Sequence, residues 1–446
     1  MELLASYANY LIYFAPLAAL FLWATGRRER LEAASVATFD ESVAAGLTQP
    51  ASLHPVVDTS RCIGCESCVH ACPEFPAHQV LGIVEGKAHL VSPTDCIGHG
   101  ACQKVCPTGA ISLVFGTAER GVDIPAVNSD FSTNVPGVFI AGELGGMGLI
   151  KNAIEQGRQA VESINSYLQS LPKNQPEKKD ALDVLIVGAG PAGIAATLGA
   201  MEAGLSHRTI EQHAFGGTPA NFPRGKIVMT SPAVLPLIGQ VKFRETTKEK
   251  LVGFWEQVRV ETGMSVSYGE RLLGIESDGR GIAVTTSNGT YRTRSLLLAI
   301  GRRGTPRKLD VVGEDLAKVS YSLLDPAEYA GQRVLVVGGG DSALEAATSI
   351  AREQDTEVAL AYRSKAFTRA KKKNRQAVER LVSEHKLNVL LESEVQKIEP
   401  EAVTMSTPEG SRTFANDAVL ICAGGILPDG LLRESGITIE TKYGTA

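Results

Sequence analysis

The run Cys62-x2-Cys65-x2-Cys68-x3-Cys72, followed at once by Pro73, constrains this chain more than any other feature. It is the spacing of a bacterial four-iron cluster, in which the fourth cysteine ligates a second cluster. The run recurs as Cys96-x2-His99-x2-Cys102-x3-Cys106, again before a proline, with His99 standing where the second cysteine belongs. Crossed ligation assigns Cys62, Cys65, Cys68 and Cys106 to one cluster, and Cys96, Cys102 and Cys72 to the other. For that second cluster two arrangements stay open: ligation by His99, or a three-iron cluster with His99 merely nearby. A neutral imidazole in place of a thiolate removes one negative charge and raises the potential. Seven of the eight cysteines lie in this stretch, which points to metal ligation rather than disulfides. The eighth, Cys422, follows an apolar run and reads as buried packing.

A chain of 446 residues holds roughly two to four domains. A net charge of −5 and the absence of a binding motif argue against nucleic acid as partner. Leu3 to Gly26 carries no charge and is followed by Arg27, Arg28 and Arg30. That length crosses a bilayer, and the basic flank places the rest of the chain in the cytoplasm, as a single-pass membrane protein. Trp23, Tyr7, Tyr10 and Tyr13 suit the interfaces; a peripheral amphipathic helix is the competing reading.

Two dinucleotide fingerprints follow. In Val184-Leu-Ile-Val-Gly188-Ala-Gly190-Pro-Ala-Gly193 a buried strand runs into G-x-G-x-x-G and a helix, with Glu211 at the distance that serves a ribose hydroxyl. In the second, Val334 leads into Gly338, Gly340, Ser342 and Ala343, and the next strand ends at Tyr362-Arg363 with Arg369 beyond. Arginine instead of a carboxylate suits a 2′-phosphate and hence NADPH, with NADH as the alternative. The other charges up to Arg375 read as a solvated helix face. Asn288-Gly289 predicts a type I′ hairpin between the fingerprints. Upstream of both lies Asn134 to Gly157, a strand, a glycine-rich turn containing Gly142 and Glu143, and the start of a helix near Gly148. Ile150, Ile154, Val161, Ile164 and Leu168 give that helix its apolar stripe.

From VLIVGAGPAG, AIGRRGTPRKL, RVLVVGGGDSALEAA and CAGGILPD, residues 181–446 resemble the thioredoxin-reductase-like flavoproteins. The resemblance implies that the first fingerprint binds FAD and that an inserted domain binds NADPH. It also implies a closing strand and turn at the flavin, which here corresponds to Thr133–Glu143, far upstream. The expected architecture is therefore α/β: two nested Rossmann-like domains in circularly permuted order, an α+β dicluster ferredoxin-like domain and one N-terminal transmembrane helix. The layout reads as anchor 1–26, connector 27–54, ferredoxin-like domain 55–115, permuted FAD segment 116–171, linker 172–180, FAD domain 181–302, NAD(P)H domain 303–424 and a return to the FAD domain over 425–446. Glu143 replaces the family's usual aspartate. Lys318–Asp325 lacks the C-x-x-C dithiol that such reductases carry just before the second fingerprint, so disulfide exchange by the chain itself is not expected.

These readings imply an NAD(P)H-dependent oxidoreductase passing electrons through FAD and the clusters to a redox partner, or the reverse. The partner would be a ferredoxin, a cytochrome or a membrane complex, and the resemblance implies a homodimer. The helix near Gly148 would turn its positive end to the reduced flavin. Competing readings are a flavin-dependent reductase of a disulfide or other small substrate, and a non-catalytic redox-sensing protein.

Overall fold

The computed structural model describes residues 2–50, 53–76, 78–146, 148–172, 181–228, 232–242, 246–277, 281–302 and 305–444; the side chains of residues 2–14 and 305 lie outside that description. The linker expected over 172–180 falls almost wholly outside it. The chain divides into two compact units, residues 1–120 with 444–446, and residues 121–443.

The first unit opens on one helix, Glu2–Ala44, which runs through the boundary drawn between anchor and connector. Its second half is part of the domain. Ser35 is buried, accepts from the Ile83 amide at 3.3 Å and from Gln79 Nε2 at 2.8 Å, and Glu32 accepts from the Gly86 amide at 2.9 Å. Among the described residues no helix is long and apolar enough to cross a membrane. About half of the expected span, residues 3–14, has side chains outside the description. Beyond the helix, His54–Val57 pairs antiparallel with Ile111–Val114, and Leu81–Val84 pairs with Lys87–Leu90. Short helices Ser67–His70 and Ala101–Lys104 lie within the two cysteine runs and carry Cys68 and Cys102.

In the second unit, continuous apolar runs build the buried parallel strands of two sheets, as strands covered on both faces require, and the first sheet adds the antiparallel strands Leu272–Ser277 and Ile282–Thr286 at one edge. The strand Leu182–Val187 pairs parallel with His207–Glu211 on one side and with the distal half of Gly289–Leu298 on the other. Val138–Ile140, from before the first fingerprint, pairs parallel with Leu296–Leu298 and so lies in this same sheet. The helix Ile150–Ser170 packs on the fingerprint helix Pro191–Glu202. Ile154, Val161, Ile164 and Leu168 are buried, while Ile150 is only partly so. The hairpin before Gly289 forms, but its two loop residues are Ser287 and Asn288, and neither has positive φ; only Gly289 does. The type I′ expectation therefore fails, because both loop residues of that turn need positive φ.

The second sheet orders its strands as Val319–Ser320, Ala418–Ile421, Arg333–Val337, Glu357–Tyr362 and Leu387–Leu391, all parallel. Residues 425–443 return to the first sheet's domain: Leu432 and Ile437 join its core, and Ile439–Lys442 pairs antiparallel with Val122–Pro125.

Asp417 receives two bonds from the Arg333 guanidinium, at 2.8 and 2.7 Å, and one from the Arg333 amide at 2.9 Å. These hold its carboxyl far below the usual carboxylate range. A depressed folded pKa contributes stability above the unfolded value of about 4, and loses it as pH falls toward the folded value. Asp417→Asn should therefore lower the thermal midpoint slightly at pH 7, with the gap to wild type closing progressively below about pH 4. The effect stays small because both side chains are about two-fifths exposed.

Candidate functional site

The first fingerprint positions a turn that tolerates no side chain. A Cβ at Gly193 would stand 1.8 Å from the Gly188 carbonyl oxygen, and one at Gly188 would stand 2.5 Å from the Ala299 carbonyl oxygen. Gly190 caps the fingerprint helix with no side-chain bond of its own, and its open side faces Gly217. Backbone amides at such a helix start suit a pyrophosphate. Glu211 ends the next strand and is buried, with one carboxylate oxygen accepting from the Ala189 amide at 2.7 Å and the other from the His213 amide at 2.9 Å. Each oxygen keeps a further lone pair with which a ribose hydroxyl can bond.

Gly142 lies against this cradle. Its amide donates to Gln156 Oε1 at 2.8 Å, and a Cβ on it would come within 3.0 Å of Ala192 Cβ. Gly157, two turns into the following helix, meets Ala192 still more closely, since its Cβ would stand 2.1 Å from the Ala192 carbonyl oxygen. The turn at Gly142 and the start of the fingerprint helix thus share one contact. Glu143 is half-buried, and Gly148 stands beside its carboxylate. The helix itself begins at Ile150. Sequence reasoning did not single out Gln156, Gly157 or Gly217. Gly216-Gly217 and the glycine inside a helical pattern were the available signals.

The second fingerprint repeats the arrangement. Gly338 stands against the Cys422 carbonyl, Gly340 caps the helix Asp341–Ile350 with nothing near it, and Ala343 is fully buried while Ser342 is exposed. Arg363 and Arg369 are exposed, and neither has an ion-pair partner among the described residues. Asp341 accepts from the Lys371 amide at 2.8 Å and from Asn374 Nδ2 at 2.7 Å, which fixes the loop carrying Arg369 to the start of the fingerprint helix. Tyr362 stacks on Phe367 at 5.5 Å, and its ring occupies the space that a side chain at residue 339 would need. Cys422 is only half-buried as a residue, although its thiol is enclosed enough for burial to push it up to about 12.

In the first unit the ligand candidates fall into two groups. Cys62, Cys65, Cys68 and Cys106 line one cavity. Cys72, Cys96, His99 and Cys102 line another, with Pro55, Pro73 and Leu113 among its walls. Among the described residues no three such side chains converge on a point where a single ion would sit. A cube of iron and sulfur needs them spread around its corners instead, and the donors surround space in that way. Burial, and then the neighbouring thiols, push Cys68 up to about 12, and burial pushes Cys96 up to about 11. Amides support the sulfurs, Ala88 donating to Cys62 at 3.4 Å and Ala110 to Cys106 at 3.2 Å. Against the burial that would raise it, the Thr108 hydroxyl and the Ala110 amide hold the Cys106 thiol down.

Comparison with known proteins agrees with both units. Residues 185–445 match the pyridine nucleotide-disulphide oxidoreductase family and residues 54–107 match the 4Fe-4S dicluster domain. A ferredoxin–NADP reductase of Thermus thermophilus is 31% identical over 274 residues, covering 58% of this chain and 78% of that one. One from Ignicoccus hospitalis is 32% identical over 186 residues, or 42% of this chain, which thus spans little more than half (57%) of that relative's length. The bacillithiol disulfide reductase of Staphylococcus aureus shares the fold, with a TM-score of 0.50 at 24% identity over 58% of this chain and 80% of its own.

Proposed function

Because the chain belongs to the pyridine nucleotide-disulphide oxidoreductase family, we propose that it carries electrons between NADPH, FAD and two iron–sulfur clusters, in either direction, and exchanges them with a redox protein. The observation that carries this reading is the joint presence of two dinucleotide cradles and two cysteine-lined cavities in one chain, with no dithiol in Lys318–Asp325. Relatives named as ferredoxin–NADP reductases support it. When bound, the flavin supplies the exchange between two-electron and one-electron chemistry. The chain's own residues bind and orient. Gly190 and the amides after it receive one pyrophosphate, Glu211 a ribose, Gly340 the second pyrophosphate, and Arg363 and Arg369 a 2′-phosphate. Cys62, Cys65, Cys68 and Cys106 hold one cluster; Cys72, Cys96 and Cys102 contribute to the other.

Anaerobic titration with NADPH tests this. Flavin absorbance should bleach and reduced-cluster EPR signals should then appear. Bleaching with silent clusters would favour a flavin-dependent reductase of a disulfide or other small substrate, and no bleaching would favour a regulatory flavoprotein.

We read the flavin domain as circularly permuted. Supporting this are the pairing of Val138–Ile140 with Leu296–Leu298 and of Ile439–Lys442 with Val122–Pro125, and a family match that begins only at residue 185. We also place the N-terminal helix at a membrane, with the catalytic units cytoplasmic. In support, Leu17, Leu20, Phe21, Leu22 and Trp23 are each more than 60% exposed, all round the helix, beside Arg27 and Arg28. Full-length protein should sediment with membranes and resist an alkaline carbonate wash; recovery in the supernatant would exclude the anchor. Light scattering of the detergent-solubilised protein tests the expected homodimer.

A further inference from the structure

The two cysteine runs share a backbone as well as a spacing. Gly64 and Gly98 have φ of 66° and 70°, and Glu66 and Gly100 have φ of 63° and 77°. Each run then enters a four-residue helix, at Ser67 in one and at Ala101 in the other, whose second residue is a cysteine, Cys68 or Cys102. The register therefore carries Cys65 onto His99. Both sit between two left-handed residues, both are exposed, and each lines the cavity shared by the other three donors of its set.

We propose that His99 ligates the second cluster through a ring nitrogen, completing a four-iron centre with Cys72, Cys96 and Cys102. The inference rests on the two-cluster reading above and goes beyond it by assigning the fourth corner. Imidazole is a ligand that replaces cysteine on iron elsewhere, and it does so without a formal charge. An imidazole nitrogen also stands farther from its Cα than a cysteine sulfur does, so the loop must sit farther back to keep the metal in place. The residues around His99 suit that need. Where the first run has Glu66 in a left-handed conformation that strains a residue with a Cβ, the second has Gly100, whose added Cβ would press on Leu113 at 3.0 Å. The loop bearing the longer ligand is thus the one with glycine on both sides. With one thiolate fewer, the second cluster accepts an electron at a higher potential than its all-cysteine neighbour. The chain then holds two inequivalent one-electron sites.

Hyperfine spectroscopy of the reduced full-length protein decides the assignment. The cluster with the higher midpoint should show a strongly coupled nitrogen, and wild type should hold about eight irons per chain. His99→Cys should keep the iron, lose the nitrogen coupling and lower the midpoint of that cluster alone. His99→Ala should lose about one iron per chain and show the EPR signal of an oxidised three-iron cluster. In both variants the signal of the all-cysteine cluster should stay unchanged, which also reports that the domain has folded. The proposal is overturned if wild type itself shows the three-iron signal, or a four-iron cluster without nitrogen coupling. The underlying reading fails differently, through a preparation that holds no iron–sulfur cluster at all.

Discussion

Gly157→Ala should strip the flavin from the purified protein and lower its stability by about 2–3 kcal/mol. The added methyl would stand 2.1 Å from the Ala192 carbonyl oxygen. That neighbour is backbone inside a helix, so no side chain can swing away to make room. The helices Ile150–Ser170 and Pro191–Glu202 must separate instead. Ala192 also touches the turn at Gly142, and Gln156 holds the Gly142 amide. Separation therefore moves the closing turn and the start of the fingerprint helix together. Gly253→Ala is the natural control. Gly253 is exposed within the helix Lys248–Thr262, with nothing near the position of a new Cβ. There the same substitution should stabilise by about 0.5–1 kcal/mol through helix propensity. Flavin-to-protein absorbance ratios and urea midpoints measure both. A Gly157→Ala protein with full flavin and an unshifted midpoint would remove the upstream segment from the flavin site.

The second large effect concerns the nicotinamide nucleotide. Replacing Arg363 and Arg369 by alanine should reduce kcat/KM for NADPH by about 10- to 100-fold per arginine, and leave NADH nearly unchanged. Each charge-assisted contact to a phosphate is worth about 1.5–3 kcal/mol, and every 1.4 kcal/mol is about tenfold. Arg363 directly follows the strand Glu357–Tyr362, where a Rossmann domain meets the ribose, and both guanidiniums are exposed without an ion-pair partner among the described residues. By contrast Arg333, at the opposite end of the sheet, is committed to Asp417. Steady-state kinetics with both nucleotides gives the answer. Equal losses with NADPH and NADH would mean that the arginines support the fold and do not read the 2′-phosphate.

Much of the candidate site was legible because its determinants are local. Cysteines three residues apart reach one cluster whatever surrounds them, and a strand leading into spaced glycines specifies its own tight turn. The N-terminal region was less legible. Residues 27–54 read as a polar connector with some helix, yet Glu32 and Ser35 bond to the strand pair of the first unit. Polar side chains that satisfy distant amides look, in sequence, like polar side chains facing water.

The sequence by itself determined which residues can ligate iron, which two strand–glycine–helix turns can receive phosphates, and that arginine rather than a carboxylate follows the second fingerprint. Only the tertiary structure decided that Val138–Ile140 lies beside Leu296–Leu298, that Ala192 leaves no room for a side chain at residue 157, and that His99 shares a cavity with Cys72. The division has a physical cause. Turn geometry and ligand spacing are set by a few adjacent dihedrals, whereas strand partners and close helix crossings depend on contacts between residues far apart in the chain. For those contacts, single-residue propensities carry no address.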